Sequence, residues 1–252
     1  MDDMRLLIDL HRPAQRQGPG NAAHTLRAIG LSGLAQRQQL KVADIGCGTG
    51  ASTLVLAQAL DADLTAIDFL PEFLAELQQR AALAGLGGRI ACQAASMQAL
   101  DCAPDSLDAI WSEGAIYNVG FERGVQAWHR FLKPGGVLAV SELTWLSAER
   151  PAELHAHWHA QYPEVGTAAQ KMAVLERHGY SPVGYFVLDE ACWLEAYYRP
   201  MQQRFAGFLH QHEHSQAACD IVAQEEKEIA LYEKYRAYFG YGFYIASKID
   251  SW

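Results

Sequence analysis

A glycine-rich turn between two apolar segments constrains the fold of this chain more than any other feature. Residues 42–50 read Val-Ala-Asp-Ile-Gly-Cys-Gly-Thr-Gly, and a second apolar segment, residues 64–68, ends in Asp68. Glycine has no Cβ, so the backbone can turn tightly here and approach a ligand closely. An acid at the end of the second strand can accept hydrogen bonds from the two hydroxyls of a ribose. The pattern therefore predicts the first βαβ unit of a nucleotide-binding sheet.

The glycine spacing separates the two classes of cofactor that fit such a unit. Dinucleotide sites use GxGxxG, with a helix N-terminus directed at a pyrophosphate. Here Gly46, Gly48 and Gly50 are spaced GxGxG, and Asp44 lies two positions before the first of them. This segment resembles motif I of the class I S-adenosylmethionine (AdoMet) methyltransferases, whose ligand has no phosphate. A nicotinamide dinucleotide and a purely structural turn remain the alternatives.

The resemblance implies a set of cofactor contacts. The turn, including Cys47, would wrap the amino-acid end and the ribose of AdoMet. Asp44 would face the methionine ammonium, directly or through water, and Asp68 would hold the ribose hydroxyls. Phe69 and Met97 would lie against the adenine, with Ser96 where the family often has an acid.

An upstream Gly-Pro-Gly loop resembles one that closes over the AdoMet carboxylate in related small-molecule methyltransferases. It comprises residues 16–20, and the resemblance places Gln17 and Gly18 at the cofactor. We include both among the predicted cofactor-binding residues.

The composition of the chain limits the cellular compartments and the binding partners that we expect for it. The chain has 252 residues, enough for one catalytic domain with a proper core. Its formal net charge of −9 argues against non-specific binding to nucleic acid, which needs a basic surface. Five scattered cysteines form no CxxC pair, so we expect reduced thiols in a cytoplasmic protein. There is no signal peptide pattern, and no segment approaches the ~20 apolar residues of a membrane span.

Alternation of apolar segments with helical stretches predicts an α/β fold with a parallel sheet covered on both faces. We predict strands near residues 40–45, 64–68, 89–93, 107–112, 136–142, 181–188 and 241–248. Helices are predicted near residues 51–60, 71–84, 121–131 and 167–178, with a turn at residues 133–136 before the fifth strand. The resemblance implies a Rossmann-like, seven-stranded, mostly parallel sheet whose last strand is antiparallel, with helical cap insertions.

We expect one methyltransferase domain over residues 1–252, divided into core and cap. The predicted parts are an N-terminal helical cap (1–38), an AdoMet-binding core (40–142), cap insertions (143–166 and 190–238) and a closing strand (240–249). Ligands of open α/β sheets bind beyond the carboxyl ends of the strands, so segments 113–120 and 143–166 should line a substrate pocket.

The end of the fourth predicted strand carries the candidate catalytic residues. Glu113 falls where family members often place a residue beside the transferring methyl group. A carboxylate there could accept a substrate proton, bind a cationic substrate or contact the AdoMet ammonium. Tyr117 and Asn118 could orient a polar group of the substrate. The alternative is structural: Glu113 caps a helix and Tyr117 packs in the core.

The end of the fifth predicted strand offers further candidates for substrate contact, in addition to Tyr117. Glu142 ends that strand, and Trp145 and Arg150 follow it. A tryptophan face with nearby acids could receive a cationic substrate by cation–π attraction. Equally, Trp145 could attach the insertion to the domain.

Two histidine clusters and one charged segment favour simpler interpretations. The first cluster comprises His155, His157 and His159, and the second comprises His210, His212 and His214. No third zinc ligand is plainly placed beside either cluster, so we predict no metal. A general base from the first cluster remains open. Residues 224–228 are expected to form the solvated face of a long helix.

Taken together, the residues predict an AdoMet-dependent methyltransferase with S-adenosylhomocysteine as its product and a small organic molecule as methyl acceptor. The chain resembles the broad UbiE/COQ5-like small-molecule group, and residues 16–20 and 111–120 also resemble uncharacterised bacterial methyltransferases. A non-catalytic AdoMet-binding module and, less favoured, an NAD(P)-dependent oxidoreductase are the alternatives. We expect no nucleic-acid or membrane partner, and a homodimer is possible.

Overall fold

A computed structural model describes residues 3–249; the first two residues of the predicted N-terminal cap and residues 250–252 lie outside it. The strands are β1 (Leu40–Ile45), β2 (Ala62–Asp68), β3 (Ile90–Ala94), β4 (Leu107–Glu113), β5 (Leu132–Trp145), β6 (Gly166–Thr167), β7 (Tyr180–Val187) and β8 (Phe239–Lys248). The α-helices are α1 (Asp3–His11), α2 (Ala22–Ser32), α3 (Ala51–Ala59), α4 (Pro71–Leu83), α5 (Phe121–His129), α6 (Ala152–Gln161), α7 (Ala168–Arg177), α8 (Glu190–Trp193), α9 (Arg199–Gln211) and α10 (Gln216–Tyr235). A π-helical turn (Leu194–Tyr198) joins α8 to α9.

The strands form one sheet in the order β3-β2-β1-β4-β5-β8-β7, and the two-residue β6 pairs with the end of β5. The pairings from β3 to β5 are parallel, whereas β8 is antiparallel to both β5 and β7. The predicted Rossmann-like sheet of seven strands with an antiparallel last strand is confirmed. The order reverses between β1 and β4, and ligands of such sheets bind beyond the strand ends at that point.

Burial on both faces explains why the central strands are almost continuously apolar. Along β4, successive side chains point to opposite faces of the sheet. Trp111 belongs to the core under α2 and α3, and Ile110 belongs to the second core, which contains Phe121 and Trp128 of α5. The sheet is therefore covered by helices on each side, as the sequence predicts.

Local sequence signals account for several helix ends. Asn21 caps α2 by accepting a hydrogen bond from the His24 amide, and Gly33 ends that helix in the left-handed conformation. Pro71 lies in the first turn of α4, where its missing N–H costs nothing. Thr167 and Gln170 form a reciprocal capping box at the start of α7.

The fifth strand is longer at both ends than predicted. The segment 133–136, predicted as a turn before the strand, is a bulge within it, because Leu107 opposes Leu132 whereas Ala109 opposes Val137. At the other end β5 continues to Trp145, since β8 pairs with it as far as Phe239. The first predicted insertion therefore leaves the sheet three residues later than expected.

Helices outside the sheet pack on one another beyond the strand ends. α1 packs against α9 and α10, with Leu6 and Leu10 fully buried at that contact. α10 is the longest described helix, with 20 residues. Within residues 3–249, no helix is both long and apolar enough to cross a bilayer.

The turn after β1 depends on glycine for space as well as for conformation. Gly50 has φ of 90°, and a Cβ there would collide with the Leu77 side chain of α4; Gly85 has φ of 71° and open space around it. We expect Gly85→Ala to lower the free energy of unfolding by about 1–2 kcal/mol through backbone strain alone. Gly50→Ala should cost at least about 1 kcal/mol more, because it also overpacks the core.

Urea unfolding of the two variants tests this expectation. Equal losses of stability would show that packing against Leu77 does not constrain the turn.

Candidate active site

A cavity of about 1120 Å³ lies at the carboxyl ends of the strands. Its first part, here the glycine half, is lined by the loops that follow β1, β2 and β3. Its second part, the cap half, is lined by side chains of α1, α6, α10 and the segment 193–197, together with Tyr241 of β8. The ends of β4 lie between the two halves and contribute Glu113, Gly114 and Tyr117.

The glycine turn leaves room for a ligand and fixes an acid beside it. Gly46 and Gly48 line the cavity with positive φ, and a Cβ at either position would collide with Ala115 or Gln17. The Asp68 carboxylate accepts hydrogen bonds from the backbone N–H of Gly48 (2.8 Å) and from that of Leu70 (3.0 Å). These two bonds hold Asp68 at the cavity wall, and its contact with a ribose stays a prediction.

Gln17 of the N-terminal loop hydrogen-bonds to the turn after β1. The Gln17 amide oxygen accepts from the Thr49 backbone N–H at 2.9 Å, and its nitrogen donates to the Thr49 hydroxyl at 3.0 Å. The same nitrogen donates to the backbone oxygen of His11. Gln17 and Gly18 therefore line the glycine half, where the sequence predicts them.

The remaining predicted cofactor residues divide into those that line the cavity and those behind it. Cys47, Phe69, Ser96 and Met97 line the glycine half, and Phe69 is 69% exposed, with its ring open to the cavity. Asp44 and Gly50 do not line it.

Asp44 is fully buried behind the turn. One of its oxygens, Oδ2, accepts hydrogen bonds from the hydroxyls of Ser52 (2.8 Å) and Thr53 (2.7 Å), and Oδ1 has no partner among the described groups. Burial raises the pKa of Asp44 to about 7, against the opposing effect of the two hydroxyls. Any contact with a ligand ammonium would have to pass through Ser52 or a bridging water.

Glu113 is already fully engaged in hydrogen bonds. Its carboxylate accepts from the Arg16 guanidinium (2.9 Å), the Thr25 hydroxyl (2.7 Å) and the Trp111 indole (2.9 Å). Glu113 therefore joins the N-terminal segment to the end of β4 through its side chain. Its predicted catalytic role stays a prediction.

Tyr117 and Asn118 form a short 3₁₀ turn after β4. The Asn118 side chain donates to the Ala115 backbone oxygen at 2.9 Å, which stabilises the turn itself. Tyr117 lies edge-on to Tyr162, with ring centroids 6.1 Å apart, and both rings line the cavity.

The group predicted at the end of β5 lies outside the cavity lining. Glu142 is buried 3.5 Å from the Lys171 ammonium, and burial raises its pKa to about 7 although Lys171 opposes this. Trp145 is packed in the core beneath the Arg150 guanidinium and is stacked on His155. The predicted substrate contact by Glu142, Trp145 and Arg150 is not supported by these positions, because burial in the core and ion pairing already engage these groups.

The cap half contains functional candidates that the sequence analysis did not identify. Its aromatic side chains are Tyr117, Trp158, Tyr162, Trp193, Tyr197 and Tyr241. Glu225 and Glu228 of α10 also line it, so the prediction of a wholly solvated charged face was wrong for these two residues. Their i, i+3 spacing places them on one side of the helix and is the signal that could have revealed them.

The histidines divide between the cavity and structural positions. His157 lines the cavity, so a general base from the first cluster stays a prediction. His155 stacks on Trp145 and on His159, and His212 lies 3.4 Å from Asp9. Within residues 3–249, the side chains that could share a metal ion are His24, Asp189 and Cys192, whose ligand atoms lie within 4.8 Å of one another. The predicted absence of a metal stays a prediction.

Comparison with known sequences identifies the domain. Residues 42–136 match a family described as a methyltransferase domain. A trans-aconitate 2-methyltransferase of Escherichia coli is 29% identical over 80% of this chain and 74% of its own length. A malonyl-[acyl-carrier protein] O-methyltransferase of Enterobacter lignolyticus is 30% identical over 52% of this chain and 48% of its own. The chain spans about a quarter to about a half of several other curated relatives.

Comparison with solved structures identifies the fold. A methyltransferase of Geobacter sulfurreducens, solved with S-adenosylhomocysteine, has a TM-score of 0.82 and 19% identity, over 97% of this chain and 98% of that one. YjhP of Escherichia coli has a TM-score of 0.81 and 20% identity, over 97% and 99%. The [4+2]-cyclase SpnF has a TM-score of 0.77 and 19% identity, over 98% and 94%.

The sheet has the topology of the class I methyltransferase fold, and residues 42–136 match a methyltransferase domain. The fold predicted from the glycine turn and Asp68 is confirmed. The UbiE/COQ5-like subgroup and the homodimer stay predictions.

Burial of Asp44 predicts a specific dependence of stability on pH. The folded state holds a proton on this carboxyl up to about pH 7, whereas the unfolded state releases it near the ordinary value of 3.8. Raising the pH between these values therefore destabilises the native protein. Relative to Asp44→Asn, which cannot titrate, the wild type should lose about 2 kcal/mol of unfolding free energy between pH 5 and pH 7.

Denaturant unfolding at several pH values, without cofactor, measures the difference. Asp63→Asn, at an exposed position of the same sheet, is the control and should follow the wild type. If the unfolding free energies of Asp44→Asn and the wild type changed in parallel with pH, this would contradict the raised pKa of Asp44.

Proposed function

We propose that this chain is an AdoMet-dependent methyltransferase that acts on a small organic acceptor bound in the cap half of the cavity. The observation that carries the proposal is the single cavity itself: the glycine turn and Asp68 form one half, and the second half has space for another molecule. The match of residues 42–136 to a methyltransferase domain supports the same activity.

The residues at the turn fit the cofactor. Gly46 and Gly48 line the cavity with bare backbone, because Ala115 and Gln17 occupy the space that a Cβ would take, and one oxygen of buried Asp44 has no partner near the turn. When bound, AdoMet supplies a methyl group activated on a positively charged sulfur. The residues that would hold it are Gln17, Gly18, Gly46, Cys47, Gly48, Asp68, Phe69, Ser96 and Met97.

Each of these residues contributes an interaction of its own type. Asp68, held by two backbone N–H groups, presents its remaining lone pairs to the ribose hydroxyls. The Phe69 ring and the Met97 side chain offer apolar faces to the adenine. Gln17 keeps the N-terminal loop on the turn, so the loop shields the cofactor from water.

The cap half would position the acceptor and exclude water. We propose residues 1–38, 143–166 and 190–238 as the cap, since α1, α6 and α10 contribute side chains to the cavity wall. Holding the acceptor against the methyl group converts a bimolecular encounter into an oriented one. Tyr241 lies within van der Waals reach of Gly114, between the two halves, and is suitably placed to orient the acceptor.

The alternatives are less well supported by the site. A module that only binds AdoMet would not need the second half of the cavity. A nicotinamide enzyme would need a turn suited to pyrophosphate, and the GxGxG spacing at residues 46–50 is not of that type.

Ligand-induced stabilisation tests the proposal. At a hundred-fold excess over Kd, AdoMet and S-adenosylhomocysteine should each raise the apparent stability by about 2.7 kcal/mol, and NADH should have no effect. Asp68→Asn should reduce the affinity for both adenosyl ligands at least about ten-fold, because a ribose contact loses its charged acceptor. Asp63→Asn on the same strand should bind like the wild type.

Absence of stabilisation by millimolar AdoMet would refute the proposal, and stabilisation by NADH alone would favour the oxidoreductase. Binding of S-adenosylhomocysteine without any conversion of AdoMet across a broad acceptor screen would favour the non-catalytic module.

A further inference from the structure

We infer that the cap half binds its acceptor through a positively charged or protonatable nitrogen on a compact molecule. This inference rests on the proposed function, because it names the chemical class of the acceptor for that site. The carrying observation is the combination of aromatic side chains and two carboxylates around one cavity.

The walls of the cap half are aromatic faces and edges. Tyr117 is 44% exposed and lies edge-on to Tyr162, and both rings line the cavity. Tyr241 also lines it, supported by an edge contact with the buried Trp193, with ring centroids 4.8 Å apart. Tyr197 stacks with His11, with ring centroids 6.5 Å apart. Because the face of an aromatic ring is electron-rich, a cation is attracted to such walls once it has lost its water.

Two carboxylates add negative charge to the same space. Glu228 accepts one hydrogen bond, from the Tyr198 hydroxyl at 2.9 Å, and Glu225 lies 3.7 Å from His11. Burial and then the charges of Glu225 and Glu228 raise the pKa of Tyr197. The pKa of Tyr117 is raised in the same way by burial and by these charges. Burial and the charge of Glu225 also raise the pKa of Glu228, so a bound cation would strengthen the negative field of this pair by favouring the charged form of Glu228.

The neighbouring cations do not neutralise this field. Arg16 is paired with Glu113, and Lys171 with Glu142. Lys227 also borders the cavity, but it is exposed to solvent. His11 faces Glu225 and is the one described imidazole in an ion pair with either carboxylate. Buried carboxylates without a full partner are costly, and a ligand cation would remove that cost.

A matched pair of small probes separates charge from shape. Choline and 3,3-dimethylbutan-1-ol have the same shape and the same hydroxyl, and only choline is charged. Each probe is titrated into protein saturated with S-adenosylhomocysteine, and binding is followed by ligand-observed NMR. Choline should bind at least about ten-fold more tightly than 3,3-dimethylbutan-1-ol. Glu228→Gln should weaken choline binding several-fold and leave the alcohol unchanged. Glu226→Gln, exposed on the same helix, is the control and should match the wild type.

Three outcomes would overturn the inference. The two probes could bind equally, neither could bind at tens of millimolar, or the tricarboxylate trans-aconitate could bind more tightly than choline. The wild-type comparison alone decides this, so a poorly folded Glu228→Gln protein does not obscure the answer. Failure of S-adenosylhomocysteine to bind would instead refute the proposed function, which keeps the two failures distinct.

Discussion

The hydrogen bond from the Gly48 backbone to Asp68 is the interaction on which the site depends. It connects the end of β2 to the turn after β1, so the acid and the glycine cradle move as one unit. The neighbouring residues are shaped around this unit: Gln17 occupies the space beside Gly48, and Ala115 fills the space beside Gly46. Replacing either glycine would therefore displace the N-terminal loop or the end of β4, in addition to straining the turn.

Helices and loops outside the sheet form the remaining walls of the cavity. Arg16 and Thr25 reach Glu113 from the N-terminal segment, so the loop, α2 and β4 share one buried carboxylate. On the other side, α10 brings Glu225 and Glu228 to the cavity, supported by the π-helical turn that carries Tyr197 and Tyr198. The sheet thus provides the methyltransferase fold, and in the proposed function the cap would determine the chemistry of the acceptor.

The glycine half could be predicted from sequence because each of its signals is local. Gly48 and Asp68 belong to a motif whose spacing alone fixes their approach across neighbouring strands. The cap half could not, because Tyr197, Glu228 and Tyr241 come from three distant segments that only tertiary packing brings together. Trp145 shows the limit of a local signal, since the sequence left it open between a substrate contact and an anchor for the insertion, and the long pairing of β5 with β8 places it in the core.

The central claim is that this one cavity holds an adenosyl cofactor in its glycine half and leaves the cap half for an acceptor. A crystal structure of the protein with S-adenosylhomocysteine tests it most directly. The account predicts ribose hydroxyls on the Asp68 carboxylate, adenine beside Phe69 and Met97, and an open space lined by Tyr241 and Glu228. An adenosyl group bound away from the glycine turn, or one that extends into the cap half and fills it, would contradict the account.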